Sequence, residues 1–273
     1  MSLITITSGI GCEEMTIAQE VAHGLGVRLY DDQRLQKKAI EMGLSAEDLR
    51  GLNEKAPGLF NRLLRRKPEA YLNLLEAVVY EVARQGEGIV FGHGAQLLLQ
   101  DFGCALHVRI YASEPSRIKN LIDRQGMSQE GAKKIIQKSD NERKGFLQFA
   151  FQMDWDDPSL YDLIINRDKL DVNSAATLII DVAKSEAIKA CSIAALESME
   201  RMSLLKKVHA AILKNSISSL EFQIEIPENG VVQITGSLNP LESESNLVEV
   251  VKGVQGVKEV RSEIVVPRIP DIG

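Results

Sequence analysis

Residues Leu3 to Tyr30 read LITITSGIGCEEMTIAQEVAHGLGVRLY. Leu3 to Thr7 is a short run rich in β-branched residues, the composition of a buried strand. A glycine-containing loop, Ser8 to Met15, follows. Thr16 to Leu25 places Ile17, Val21 and Leu25 at helical spacing and stops at Gly26, a residue suited to a left-handed C-cap. Val27 to Tyr30 returns to strand composition. Strand, glycine loop, helix, strand is the opening of a βαβ unit, which predicts a parallel sheet.

The alternation continues outward from that stretch. Helices are expected at Asp32 to Met42, from Ser45 onward with Asp48 completing a capping box, at Ala70 to Arg84, Pro115 to Arg124, Ser128 to Glu142 and Val172 to Ala183. Strands are expected at Gly88 to Phe91, Leu106 to Tyr111 and Asp162 to Asn166. Strands interleaved with helices give an α/β class, a parallel sheet with helices on both faces. Lys184 to Arg201 is Ala- and Glu-rich with few large apolar residues and reads as a helical connector. After Ser203 the pattern changes to helix (Ser203 to Asn215), strand (Leu220 to Ile226), a turn at Pro227 to Gly230, strand (Val231 to Thr235), helix (Pro240 to Lys252) and strand (Val257 to Val266). That is a small αββαβ (α+β) set of about 65 residues, near the lower size for a self-sufficient core. The expected division is therefore 1–185, a connector 186–202, and 203–268.

Composition sets outer bounds. The chain has 273 residues, 44% hydrophobic and 26% charged, enough apolar material for a real core. A net charge of -6 and a pI near 5.4 argue against a general nucleic-acid binder, which wants a basic face. The basic run Arg62 to Lys67 reads as a solvated helix end. Cys12, Cys104 and Cys191 are scattered, so neither a disulfide framework nor a zinc site is expected, and the four histidines share no ligand spacing. The N-terminus lacks a basic, apolar leader pattern and no apolar run reaches the length of a transmembrane span, so the cytoplasm is the default location.

The loop after the first strand is the place where chemistry is expected. A phosphate-binding loop (P-loop) follows G-x-x-x-x-G-K-[ST]: backbone N–H groups face the phosphates, Lys neutralises them, and the hydroxyl holds Mg²⁺. Gly9-Ile10-Gly11-Cys12-Glu13-Glu14-Met15-Thr16 occupies that frame. Gly9 and Thr16 fit, Glu14 stands where the second Gly belongs, and Met15 where the Lys belongs. An ordinary βα turn is the alternative reading of these eight residues alone.

A wider resemblance supports the frame. Residues 3 to about 183 resemble the cytidylate kinase-like family of P-loop nucleoside monophosphate kinases. The resemblance is carried by Ile4-Thr5-Ile6, Ile17-Ala18, Leu29-Tyr30-Asp31, Gly43-Leu44-Ser45, Asn53 to Pro57, Gly92-His93-Gly94, Arg109 to Ala112, Asp140 to Arg143 and Asp154 to Asn166. It implies a three-layer kinase fold, ATP and Mg²⁺ as cofactors, and phosphoryl transfer to a nucleoside monophosphate such as CMP. By the same resemblance, Gly9, Gly11, Thr16 and Arg124 would hold the cofactor, with Thr16 at the metal. Arg117 and Arg143 would clamp transferring phosphates as catalytic cations, Arg143 following a helix that looks like the lid. Asp31 and His93 would meet the substrate. Asp31 can equally cap the next helix, His93 can simply make a strand-end turn, and each arginine can be an exposed ion-pairing side chain. Trp155, with Pro158 and Tyr161, reads as packing at the lid base.

The departures from the family pattern fall on charge. The family typically carries a glycine pair where Glu13 and Glu14 stand and an Arg where His93 stands. Two like charges ~6 Å apart repel by roughly 0.7 to 3 kcal/mol for effective dielectrics of ~80 to ~20. The loss of Lys removes attraction of similar size. The alternative for the two glutamates is that they turn to solvent or that one ligates Mg²⁺. Two readings follow. One is a binding or regulatory protein, a pseudokinase, that takes a nucleotide or small phosphorylated ligand with weak or no phosphotransfer. The other is an active ATP-dependent (d)CMP-type kinase. Residues 204 to 266 resemble the BON domain through Gly230 to Gly236 and Gly253 to Val260. That resemblance implies a protein or small-molecule ligand for the C-terminal part and nothing catalytic there. No nucleic-acid partner is expected, and a homo-oligomer is compatible with the sequence.

Overall fold

The computed structural model of the chain describes residues 3–44, 68–217, 221–239 and 242–265. The helix expected from Ser45, the Asn53 to Pro57 stretch and the basic run Arg62 to Lys67 lie outside those residues. The larger part is a five-stranded, all-parallel sheet in the order β2-β3-β1-β4-β5. Its strands are β1 (Leu3–Ser8), β2 (Leu29–Tyr30), β3 (Gly88–Phe91), β4 (Ala105–Tyr111) and β5 (Leu163–Asn166). The central strand β1 is buried at all six positions, which is why it reads as an unbroken apolar and β-branched run. The helices are α1 (Glu14–Leu25), α2 (Asp32–Glu41), α3 (Pro68–Ala83), the one-turn α4 (Ala95–Leu98), α5 (Glu114–Gln125), α6 (Gln129–Phe151), α7 (Val172–Lys184) and α8 (Ile193–Lys214).

Two cores sandwich the sheet. On one face α1 and α7 cover Ile4, Ile6, Ile89, Leu106, Val108 and Ile110. On the other, α2, α3, α4 and the end of α6 build around Leu35, Leu75, Val90 and Leu99, all at 0% exposure. The three-layer α/β fold expected of a P-loop kinase is present. Helix α6 runs nine residues past the expected stop at Glu142. Its polar stretch Lys138 to Lys144 hides the periodicity: Ala132, Ile136, Phe146 and Leu147 form a buried stripe in which Arg143 takes an apolar position. Arg143 therefore sits inside the helix rather than after it.

The smaller part has strands β6 (Glu221–Glu228), β7 (Val231–Ser237) and β8 (Glu259–Val265), with β7 antiparallel to β6 and parallel to β8. Asn229 and Gly230 (φ 88°) turn the hairpin. The C-terminal half of α8 and helix α9 (Glu244–Lys252), capped by Ser243, cover the sheet through Leu204, Val208, Ile212, Leu247 and Val251. Helix α8 crosses residues 202 and 203 without a break. Its N-terminal half packs along α3, where Met199 is fully buried, Ser203 Oγ donates to the Ala77 carbonyl at 2.9 Å, and Arg84 pairs with Glu200 at 3.2 Å. The stretch read as a helical connector instead contains a non-helical strap, 185–192, followed by α8.

That strap carries a correction. Cys104 and Cys191 form a disulfide, with Cα atoms 4.9 Å apart and a sequence separation of 87. Cys104 precedes β4, and Cys191 lies where the chain passes from α7 on one face to α8 on the other. Three scattered cysteines give no spacing signal for such a bond, because only the folded path brings the two together. Cysteine usage therefore no longer supports the cytoplasmic default. Among the described residues, no helix is long and apolar enough to cross a membrane.

Candidate functional site

The loop between β1 and α1 leaves the carboxyl edge of the central strand, where ligands bind in open parallel sheets. Its backbone is held from below by Arg117 of α5. A Cβ on Gly9 would come within 2.6 Å of the Arg117 guanidinium, so this position takes glycine because the arginine lies against it. Arg117 Nε donates to the Ile10 carbonyl at 2.7 Å, and its two terminal nitrogens make a two-pronged ion pair with Asp140 of α6, both at 2.7 Å. Burial works against the cation, but the Asp140 carboxylate outweighs it and holds the Arg117 pKa above its usual value. Asn120 Nδ2 donates to the Gly11 carbonyl at 2.9 Å, where the backbone is left-handed (φ 87°). Arg143 donates to the Ser8 carbonyl. Arg117 and Arg143 thus bind the loop's own backbone, and Arg117 also ties α5 to α6.

Glu13 ends the loop in the left-handed region, φ 59°, immediately before α1. Its side chain does not cap the helix. The carboxylate pairs instead with Arg124 of α5 and with Arg167, the residue that follows β5. The Arg167 side chain is 5% exposed, that of Glu13 10%, and that of Arg124 60%. The repulsion anticipated for Glu13 is therefore answered by two cations of the same chain. Glu14 is buried in the first turn of α1. A cavity of about 500 Å³ opens over this region, lined by Gly11, Glu13, Thr16, Arg124, Glu142 and Arg143, among others. Gly11, Thr16, Arg124 and Arg143 of the sequence reading thus come together. Met15, at the position of the family's lysine, lines the same cavity and brings no charge.

The other candidate positions lie at the ends of β2 and β3. Gly92, His93 and Gly94 are all left-handed, with φ of 75°, 60° and 68°. This turn buries His93 to 2% exposure and brings its Nε2 to 2.9 Å from Asp32 Oδ1. Asp31 caps α2, accepting from the Arg34 amide at 2.9 Å, and faces a separate hollow shared with His23 and Gln33. It does not line the loop cavity; its neighbour Asp32 is the residue that meets His93.

Three groups of functional character escaped the sequence reading. Arg167 was legible in principle, because it stands at the carboxyl end of a parallel strand. Asn120 carried no signal. Arg109 of β4 is buried against the aromatic faces of Trp155 and Tyr161, 4.6 and 5.4 Å from the ring centroids, and pairs with Asp156, which Lys144 also engages. Trp155 is 3% exposed in the cluster that holds Phe146 and Leu147 of α6, and its Nε1 donates to Thr7 Oγ1 at 3.3 Å.

Thr16 offers the hydroxyl that the loop frame assigns to Mg²⁺, and it lines the cavity. Among the described residues no group of three or more His, Cys, Asp or Glu side chains could hold a metal ion. Two of the cations that a triphosphate would meet at this loop, Arg124 and Arg167, are paired with Glu13 within the protein.

Comparison with known proteins gives a consistent result. The model of the Cytidylate kinase-like family matches residues 3–169. A cytidylate kinase from Thermoplasma volcanium is 26% identical over 181 residues, covering 65% of this chain and 89% of that protein. A cytidylate kinase from Pyrococcus horikoshii is 26% identical over 171 residues, covering 61% and 80%. The crystal structure of an uncharacterized protein from Eubacterium ventriosum superposes with a TM-score of 0.55 at 21% identity, over 68% of this chain and 99% of that one. That likeness concerns the fold alone.

Proposed function

The chain belongs to the cytidylate kinase-like family, and from that premise we propose that it binds a nucleotide or a related phosphorylated ligand while phosphotransfer is weak or lost. One observation carries this reading: three arginines around the loop are already paired with carboxylates within the protein. Arg117 serves Asp140, Arg124 and Arg167 serve Glu13, and Met15 replaces the lysine. Electrostatic stabilisation of the transferring group is a major part of catalysis in such enzymes, and each lost donor of that kind costs about 10²–10³ in rate.

The assay is phosphotransfer with ATP, Mg²⁺ and a panel of nucleoside monophosphates, run beside a thermal shift with CMP. A shift with CMP and turnover far below an ordinary kcat of about 10 s⁻¹ fits the proposal. Ordinary turnover would return the chain to the second reading, an active (d)CMP-type kinase using ATP and Mg²⁺, which the relatives' names favour. The double change Glu14→Gly, Met15→Lys should tighten Mg-ATP binding.

For the C-terminal part the proposal is a BON-like module, residues 203–268, that binds a protein or small-molecule ligand. Its own apolar core around Val208, Val232, Ile234 and Leu247 supports a separate unit. A fragment of residues 193–273 that shows dispersed amide signals would support it; a collapsed spectrum would oppose it.

A further inference from the structure

We infer that Glu13 is a built-in anion standing where its own loop would hold a phosphoryl group, and that a pyrophosphoryl group binds by displacing it from Arg124 and Arg167. The inference rests on the reading of this loop as phosphate-binding and adds how the site is regulated. Nothing in local structure calls for the Glu13 carboxylate where it lies. The residue is held in a left-handed conformation that favours glycine, and its side chain leaves the start of α1 uncapped. What it meets are two guanidinium groups that converge from α5 and from the end of β5.

The receiving groups suit a dianion better than a carboxylate. Within the ion-pair cluster two arginines carry two positive charges and Glu13 returns one, while Glu14 and Glu142 are matched in number by Lys138 and Arg143 around the cavity wall. Among the described residues the Nε of Arg167, on a side chain only 5% exposed, has no hydrogen-bond partner. A phosphoryl oxygen could accept from that donor, since phosphate offers more acceptor directions than a carboxylate. The start of the 12-residue helix α1 adds a favourable potential for an anion at the same place. The cavity of about 500 Å³ in front is large enough for a nucleoside di- or triphosphate. Arg124, 60% exposed, forms the solvent side of the ion-pair cluster, so Glu13 can leave toward the cavity without unpacking the core. Glu13 thus competes with the ligand for the same two cations, which keeps the site closed at low ligand concentration.

The test uses the full chain and calorimetry with two probes, inorganic pyrophosphate and CTP, to separate a free from a nucleotide-borne pyrophosphoryl group. Glu13→Gln keeps the shape and removes the charge. It should tighten pyrophosphate binding about tenfold or more, a change set by the removal of one competing charge at contact distance. Adding Arg167→Gln should cancel the gain. Tightening for CTP but not pyrophosphate would identify the nucleotide as the source and still support the displacement. Unchanged or weaker binding of both probes in folded Glu13→Gln overturns the inference. If Glu13→Gln does not fold, Arg124→Gln, at an exposed side chain, decides: it should weaken pyrophosphate binding about tenfold, and unchanged binding overturns the inference. The thermal shift with CMP separates the two claims. A CMP shift that persists while Glu13→Gln gains nothing removes this inference and leaves the proposed function standing.

Discussion

Breaking the bond between Cys104 and Cys191 should cost the protein a large part of its stability while leaving ligand binding in place. The bond closes a loop of 87 residues that contains β4, α5, α6, β5 and α7, most of the second half of the larger part. By the chain-entropy relation, a loop of that length removes about 15 cal/mol/K from the unfolded ensemble, or ~4.6 kcal/mol at 25 °C. In a protein of this size that is a fall in melting temperature of roughly 10 °C or more. The disulfide sits at the amino end of β4, at the edge of the sheet opposite the loop between β1 and α1, so the CMP shift should survive its loss. The measurement is a melt of the oxidised chain, of the same chain in reductant, and of Cys104→Ala/Cys191→Ala. Thiol titration of the unfolded, unreduced chain should count Cys12 alone, since that thiol is free and buried in the fold. Coincident melts of the oxidised and reduced chains would refute the argument, and three reactive thiols without reductant would refute its premise.

Asp140→Asn breaks the two-pronged pair with Arg117, whose side chain is only 9% exposed; chemical unfolding should register a loss of about 3 kcal/mol, and a loss near zero would show that the pair does not hold α5 to α6. Gly94→Ala puts a Cβ at φ 68° and within 2.4 Å of the Phe151 ring, so it should destabilise by roughly 1–3 kcal/mol and disturb the end of α6; a neutral result would contradict the described turn. Burial pushes the Tyr161 hydroxyl up to about 12 from its ordinary value near 10, against the opposing pull of Arg109. A group whose pKa is raised by folding contributes stability that is complete below its unfolded value and is lost as pH climbs through the folded one. Unfolding should therefore become easier from about pH 10 toward pH 12. A Tyr161→Phe variant that keeps the same alkaline decline would assign it to another group.

The order of elements could be read from the chain because burial imprints periodicity. A central parallel strand such as Leu3–Ser8 is covered on both faces and reads as a continuous apolar run, and glycine at Gly26 marks a helix end by its backbone freedom. The candidate loop was legible for the same local reason: spacing within eight residues is a property of the sequence. The long helix α6 was cut short in the reading because Arg143 fills a buried place with a charge, and periodicity counts such a place as polar. Pairings between distant segments left no trace in the sequence. Cys104 meets Cys191, Asp32 meets His93, and Glu13 meets Arg167 only because a parallel sheet returns each strand's end to one edge and the chain crosses from one face to the other. The sequence by itself determined a three-layer kinase-like sheet, a small appended sheet, and a glycine-containing loop with Met15 and two glutamates before its helix. Tertiary structure alone decided the fate of the loop's extra carboxylate. Repulsion or neutralisation depends on which cations stand within a few ångströms, and that distance is set by packing across 154 residues of chain.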